Sequence, residues 1–219
     1  MSVPIKSLLK RAFPFYFHYQ AYRLLVADRN SYLHQTGWLK SLEQKMSVDG
    51  NGSEIPWMNY PVVRFLRERL GKELELFEFG SGNSTTFYAR LVKNVTSVEY
   101  NESWLQRVKE RAPANVKLIY QKEDVDGAYC RSVHLSGRKY DVVIVDGRDR
   151  VNCITQAVDT LSDQGVILLD DSHREKYADG IRHAQEKGFF VLPFEGLKPG
   201  GNGIERTTLF YRRNNCVGL

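Results

Sequence analysis

Five carboxylates stand at the ends of apolar runs in this 219-residue chain: Glu78 in "LELFEFGSG", Glu99 in "VTSVEY", Asp146 in "VVIVDG", and Asp170 with Asp171 in "VILLDDSH". Behind the first lies a glycine turn, Gly80-Ser81-Gly82-Asn83-Ser84-Thr85, and then a helix-like run. Bare backbone at Gly80 and Gly82 lets a ligand approach closely. Ser84 is placed to cap the following helix. The sixth position is Thr85, so the turn departs from the dinucleotide fingerprint. A carboxylate at Glu78, two residues before the first glycine, repels a pyrophosphate and suits a cationic group. Glu99, seventeen positions after Gly82, is placed to accept hydrogen bonds from both hydroxyls of a ribose.

These two acids ask for a ligand with a ribose and a positive group and without a pyrophosphate. S-adenosylmethionine fits, through its ammonium and sulfonium. Asp170 and Asp171 follow Asp146 by 24 and 25 residues. Neighbouring parallel strands would bring the three carboxylates to one rim. Three oxygen ligands with room for water and substrate suit a hard divalent cation such as Mg²⁺, which would lower the pKa of an acceptor hydroxyl. Asp171 has a second role open to it, as a cap for the helix beginning near Ser172. His173 follows the acid pair and is either a general base or a surface residue. Arg148 and Arg150 either clamp an anionic substrate or pair with Asp149 and Asp170. His18, His34, His134 and His183 show no ligand spacing.

The elements that must position these groups alternate. Strands are expected at 74–79, 95–100, 116–121, 140–147 and 165–171, with helices between, among them one carrying Val151, Ile154, Val158 and Leu161 and one ending before Gly188. Near-continuous apolar strands imply a sheet covered on both faces, and the alternation implies a parallel, doubly wound α/β sheet. The last two strands, "FFVLPFEG" and "RTTLFYRR", are separated only by "LKPGGNGIE". That link is too short for a crossover, so they should pair antiparallel. Upstream, "NYPVVRFLRERL" reads as a helix with Pro61 in its first turn, and residues 46–56 read as a loop.

Residues 1–56 form an N-terminal helical and aromatic arm with its loop, and 57–219 the ligand-binding domain. Before residue 30 there are five basic residues and one acid, Asp28, out of a formal net charge of +5. The arm, with Phe13, Phe15, Phe17, Tyr19 and Tyr22, either packs on the domain or lies on a membrane surface. The rest of the chain is nearly balanced, so no nucleic-acid partner is expected. No segment approaches the ~18 apolar residues of a membrane span. Cys130, Cys153 and Cys216 lack metal spacing and suggest structural thiols in a reducing, cytoplasmic setting.

Residues 74–213 resemble class I S-adenosylmethionine-dependent methyltransferases. Glu78-Phe79-Gly80-Ser81-Gly82-Asn83 matches the family's first motif, Glu99 matches the ribose acid, and the antiparallel ending matches its seven-stranded sheet. The resemblance implies donor contacts from Glu78, Gly80, Ser81, Gly82, Ser84, Glu99, Tyr100 and Asp146, with Asp124 at the adenine. Asp146, Asp170 and Asp171 resemble the metal ligands of Mg-dependent O-methyltransferases. Where the catechol type has Lys, three positions after the first Asp, this chain has Asp149. Asp146, His173 and Asp149 are the candidates for the acid–base step. The run Asp146-Gly147-Arg148-Asp149 is unlike the Asn/Asp-Pro-Pro-aromatic run of base N-methylating relatives. The implied acceptor is a hydroxyl of a small polar metabolite, sugar or glycan, with Trp57, Asn59 and Tyr60 as lid candidates. Alternatives are transfer of another group from a related donor, as in aminopropyl transferases, and a non-catalytic adenosyl-binding module.

Overall fold

Alternation along each strand divides the apolar residues between two layers, one on either side of a single sheet. A computed structural model of the chain describes residues 15–219. The strands are β1 (Glu75–Phe79), β2 (Asn94–Glu99), β3 (Val116–Tyr120), β4 (Tyr140–Val145), β5 (Leu161–Leu169), β6 (Phe190–Gly196) and β7 (Glu205–Tyr211). They lie in the order β3-β2-β1-β4-β5-β7-β6. The β1 to β5 pairs are parallel, and β7 runs antiparallel between β5 and β6. The expected doubly wound sheet with an antiparallel ending is therefore present.

One face packs Leu76, Val142, Ile144, Val166 and Leu209 against helices α4 (Tyr60–Arg69) and α5 (Asn83–Ala89). The other packs Phe77, Phe79, Val143, Val145 and Ile167 against α7 (Ala128–Arg131), α8 (Arg150–Thr160) and α9 (Ala178–Glu186). Helix α6 (Glu102–Lys109) follows β2. The helix after β4 was expected to carry Leu161. Instead Leu161 opens β5 and pairs with Tyr140, and a register shift between Tyr140 and Val142 absorbs the extra length.

The N-terminal segment contains α1 (Tyr16–Tyr22), a π-turn over Arg23–Ala27, α2 (Tyr32–Gln35) and α3 (Trp38–Gln44). Phe15, Phe17, Tyr19, Tyr22, Leu24 and Leu25 are exposed. Phe13 and the basic residues Lys6, Lys10 and Arg11 lie outside the described residues. By contrast, α3 and the following loop belong to the domain: Trp38 Nε1 donates to the Gly201 carbonyl at 2.6 Å, and Val48 and Ile55 are buried. No helix among the described residues is long and apolar enough to cross a membrane. The three cysteines are free thiols.

Asn59 and Tyr60 are not lid residues. Tyr60 is buried, its ring edge-on to Tyr32. Asn59 is fully buried. Its Oδ1 accepts from the Val62 N–H and caps α4, and its Nδ2 donates to the Phe194 carbonyl and to Thr207 Oγ1, each at 3.0 Å. Asn59→Ala removes a cap and strips a donor from two buried acceptors. The expected loss is about 2–4 kcal/mol, read as a lower urea midpoint at unchanged m-value.

Candidate active site

The turn after β1 is built around a buried acid. Glu78 projects to the same face as Leu76 and is 1% exposed. Its carboxylate accepts from Ser84 Oγ at 2.5 Å and from Thr85 Oγ1 at 2.6 Å. Helix α5 starts at Asn83, so Gly82 is the cap residue and Ser84 does not serve as one. Thr85, the residue that departs from the fingerprint, does two things: it donates to Glu78 and accepts from the Gly82 N–H at 3.0 Å. The signal for it was its place three residues after the cap residue Gly82, the position that reaches back to the cap.

Gly80 has φ +98°, and a Cβ there would lie 3.0 Å from the Asp146 carbonyl; one on Gly147 would lie 2.0 Å from Tyr129 Oη. The turns after β1 and β4 thus touch through bare backbone. Burial pushes Glu78 up to about 7, against the pull of its hydroxyl partners. A carboxyl whose pKa rises on folding from 4.5 to about 7 costs stability as pH climbs through that window, on the order of 3 kcal/mol once fully ionised. Neutral hydroxyls do not remove that cost. A cation bound beside Glu78 does.

Glu99 is also buried. One oxygen accepts from the Ser81 N–H and Oγ, at 3.1 and 2.9 Å, and the other from the Tyr100 and Asn101 N–H groups, at 3.0 and 2.9 Å. Together Glu78, Gly80, Ser81, Ser84, Glu99, Tyr100 and Asp146 line a cavity of about 420 Å³. Asn101, Trp104 and Gly147 complete its wall and were missed in the sequence. Trp104 is held by its indole N–H on the Ser81 carbonyl at 2.8 Å. Gly82 faces a second, adjoining cleft. Asp124 lines neither. Its carboxylate accepts from the Ala128 and Tyr129 N–H groups at 2.7 and 3.0 Å and so caps α7. Arg148 pairs with Glu123 at 3.0 Å, donates to Tyr100 Oη and lies over the Tyr100 ring. It has no bond to Asp149.

The acids of β4 and β5 do reach one rim, but their shared centre is taken. Arg150, only 9% exposed, donates to Asp146 Oδ1 at 2.8 Å and to the Asp170 carbonyl at 2.6 Å, and lies 3.7 Å from Asp171. Its guanidinium also lies over the Tyr177 ring. The Asp170 carboxylate accepts from Thr207 Oγ1 at 2.6 Å, and Asp171 pairs with Arg174 at 2.7 Å. Asp146, Asp170 and Asp171 therefore do not form a metal seat: a guanidinium stands where the ion was expected.

Among the described residues, the group whose ligand atoms converge is Asp171, His173 and Glu205. Asp171 Oδ1 and Glu205 Oε2 are buried without hydrogen-bond partners. The Lys198 ammonium, from the β6–β7 loop, already lies 3.9 Å from Asp171 and 3.3 Å from Glu205. His173 Nδ1 is 3.7 Å from Glu205, and its side chain lines neither cavity.

Asp149 is not placed as a base. It adopts φ +46° at the start of α8, and its carboxylate accepts from the Asp126 N–H and from Asn152 Nδ2. Asp146 is the acid that faces both cavities. Burial pushes it up to about 6, Arg150 pulls it down, and the charges of Asp171 and Glu78 raise it.

No protein-family model matches the chain, and no curated protein does. Solved structures do. An rRNA methylase from Streptococcus thermophilus is 20% identical with a TM-score of 0.51, and the match covers 69% of this chain and 96% of that one. Precorrin-6y C5,15-methyltransferase from Geobacter metallireducens is 16% identical with a TM-score of 0.52, covering 69% and 87%. Precorrin 8w decarboxylase from Methanobacterium thermoautotrophicum is 15% identical with a TM-score of 0.53, covering 69% and 88%. The fold is that of the class I methyltransferases. The activities of these three differ, so the likeness speaks for the fold and the site must speak for function.

Replacing Arg150 by Met leaves Asp146 and Asp171 facing each other without the shared cation. The expected destabilisation is about 3–5 kcal/mol at pH 8 by chemical denaturation. It should shrink toward pH 5, where Asp146, already near 6, takes up a proton.

Proposed function

We propose that the protein is an S-adenosylmethionine-dependent methyltransferase acting on a hydroxyl of a small polar metabolite, sugar or glycan. The observation that carries this reading is Glu78: a fully buried carboxyl with a raised pKa, held by neutral hydroxyls, at the floor of a cavity whose far wall is a second acid, Glu99. That pair fits a ligand with a cationic amino group at one end and a ribose at the other. Gly80 and Gly147 let the two turns that line the cavity meet through bare backbone, and Trp104 lines the wall beside Glu99.

Bound there, the donor would supply an electrophilic methyl with its thioether as leaving group, and the chain would have to hold the acceptor oxygen in line and pass the acceptor proton to a carboxylate. Asp146 is the group positioned to receive it. Oδ1 is fixed by Arg150, and among the described residues no protein donor reaches Oδ2. Arg150 also orients the carboxylate and, by its charge, keeps a useful fraction ionised near neutral pH. Positioning by the rim and proton removal account for what the chain must add to an already activated methyl group.

A divalent ion does not fit among Asp146, Asp170 and Asp171, because Arg150 fills their centre. The residues that would hold one are Asp171, His173 and Glu205, where it would compete with Lys198. Turnover is expected to persist in excess chelator, since Arg150 and Lys198 already supply the rim with cations. Loss in chelator with recovery in Mg²⁺ would assign an ion to the second group.

Donor binding carries a sign that can be checked. A cationic amino group binds ionised Glu78, whose free pKa is about 7. Affinity for S-adenosylhomocysteine, measured by calorimetry, should therefore be roughly tenfold weaker at pH 6 than at pH 8. Glu78→Gln should weaken binding at pH 8 and flatten most of this dependence. A pH-independent affinity in the parent protein would remove the support that Glu78 gives to this reading. Asp146→Asn should lower kcat by about 10²–10⁴-fold in product analysis with labelled donor, with a much smaller change in donor affinity.

A further inference from the structure

Beside the donor cavity, and sharing Ser81, Ser84, Trp104 and Asp146 with it, lies a cleft of about 590 Å³. Its other wall comes from outside the sheet: Lys45 and Ser47 after α3, and Trp57 before α4. Two kinds of side chain stand out. Trp57 and Trp104 are 49% and 37% exposed, unusual for the largest apolar side chain unless its face is meant to be covered. Trp57 has no hydrogen bond to its indole N–H among the described residues, whereas Trp104 is pinned to Ser81 with its ring turned to the opening.

The cations form the second group. Lys45, Arg107 and Arg111 line the cleft. Glu54 is the one acid paired with Arg111, at 2.8 Å, and it also serves Arg90 at 3.3 Å, so one carboxylate answers two guanidiniums. Lys45 and Arg107 take part in no ion pair among the described residues, and residues 1–14 contain no Asp or Glu. Asp146, the one acid lining the cleft, is committed to Arg150. The cleft is therefore lined by uncompensated positive charge, two indoles and the proton acceptor Asp146.

Resting on the methyltransferase reading, we propose that this cleft is the acceptor site and that the acceptor is a sugar bearing a carboxylate or a phosphate. The apolar face of the ring lies on Trp57 or Trp104, the anionic group meets Lys45 and Arg107, and a ring hydroxyl points to Asp146. A single-stranded nucleic acid uses indoles and cations too, but it needs a basic track beyond the pocket. Of the net charge of +5, five basic residues and one acid fall before residue 30, which leaves the domain nearly balanced.

The test is calorimetric titration of the full chain with matched probes, with and without saturating S-adenosylhomocysteine. The probes are tri-galacturonate against its methyl ester, and glucose 6-phosphate against glucose, with a uridine decanucleotide as the contrasting polyanion. The charged member of each pair is expected to bind at least about tenfold more tightly, as for hydrogen bonds to a charged partner. Lys45→Met with Arg107→Met should erase that preference, and Trp57→Ala should weaken charged and neutral members alike. None of these changes should move the affinity for S-adenosylhomocysteine. Equal affinity within each pair, absence of binding by both included, overturns the proposal, as does tighter binding of the decanucleotide than of any sugar. Failure of S-adenosylhomocysteine itself to bind would sink the donor reading, whereas binding of it without sugar discrimination would sink only the acceptor class.

Discussion

The Arg150 guanidinium holds the rim of this protein together. It is the first residue of α8, yet it reaches back to the Asp146 carboxylate, across to the Asp170 carbonyl and toward Asp171. The ends of β4 and β5 and the start of α8 thereby converge on one buried cation. Without it, three acids would crowd a low-dielectric edge, and at least some would have to hold protons. Asp170 shows the strain that remains. Burial and the Asp146 charge push its pKa well up even with Thr207 donating to it. Thr207 in turn accepts from Asn59, so the acid rim is tied through two hydrogen bonds to the cap of α4 on the other side of the sheet.

The two halves of the site treat charge in opposite ways. At the β4–β5 rim Asp146 and Asp171 have cations from the chain itself, Arg150, Arg174 and Lys198, while the Asp170 carboxylate has the Thr207 hydroxyl. At the β1 turn Glu78 has only hydroxyls. A buried carboxyl left in that state is unstable when ionised. Glu78, unlike Asp170, lines an open cavity where a ligand can bring the missing charge, which is the pattern expected of a binding group.

Much of the sheet and half of the site could be read from the sequence. Strands buried on both faces write near-continuous apolar runs, and a nine-residue link forces β6 and β7 antiparallel, so both features depend on local pattern alone. Glu78 and Glu99 were legible because a strand end followed by a glycine turn fixes where an acid points. What resisted reading was long-range or long-limbed. Asp146 and Arg150 are four apart across the turn from β4 into α8, and nothing local shows that the guanidinium reaches back to Asp146 or spans to β5. Asp124 looked like an adenine contact and proved to be a cap, since its partners are the N–H groups four and five residues on. Leu161 was placed in a helix because its apolar spacing also continues α8, and the choice is made by its pairing with Tyr140 across the sheet.

The difference between the halves explains why the fold is easier to assign than the acceptor. The donor cavity is made almost entirely from turns that the sheet itself positions, so any chain with this strand order and a glycine turn builds something close to it. The acceptor cleft takes one wall from the segment between α3 and α4 and another from α6, neither of which the sheet constrains. The sheet therefore positions the first cavity, and the side chains of those two segments line the second. In this chain those side chains include two indoles and, in Lys45 and Arg107, two cations without an ion-pair partner among the described residues, a combination that has little structural use of its own. Both indoles lie partly exposed, and neither Lys45 nor Arg107 forms an ion pair among the described residues. Trp104 is anchored to the Ser81 carbonyl by its indole N–H and still leaves much of its ring exposed, and exposed apolar rings beside unpaired cations are best accounted for by the contact they make with something else.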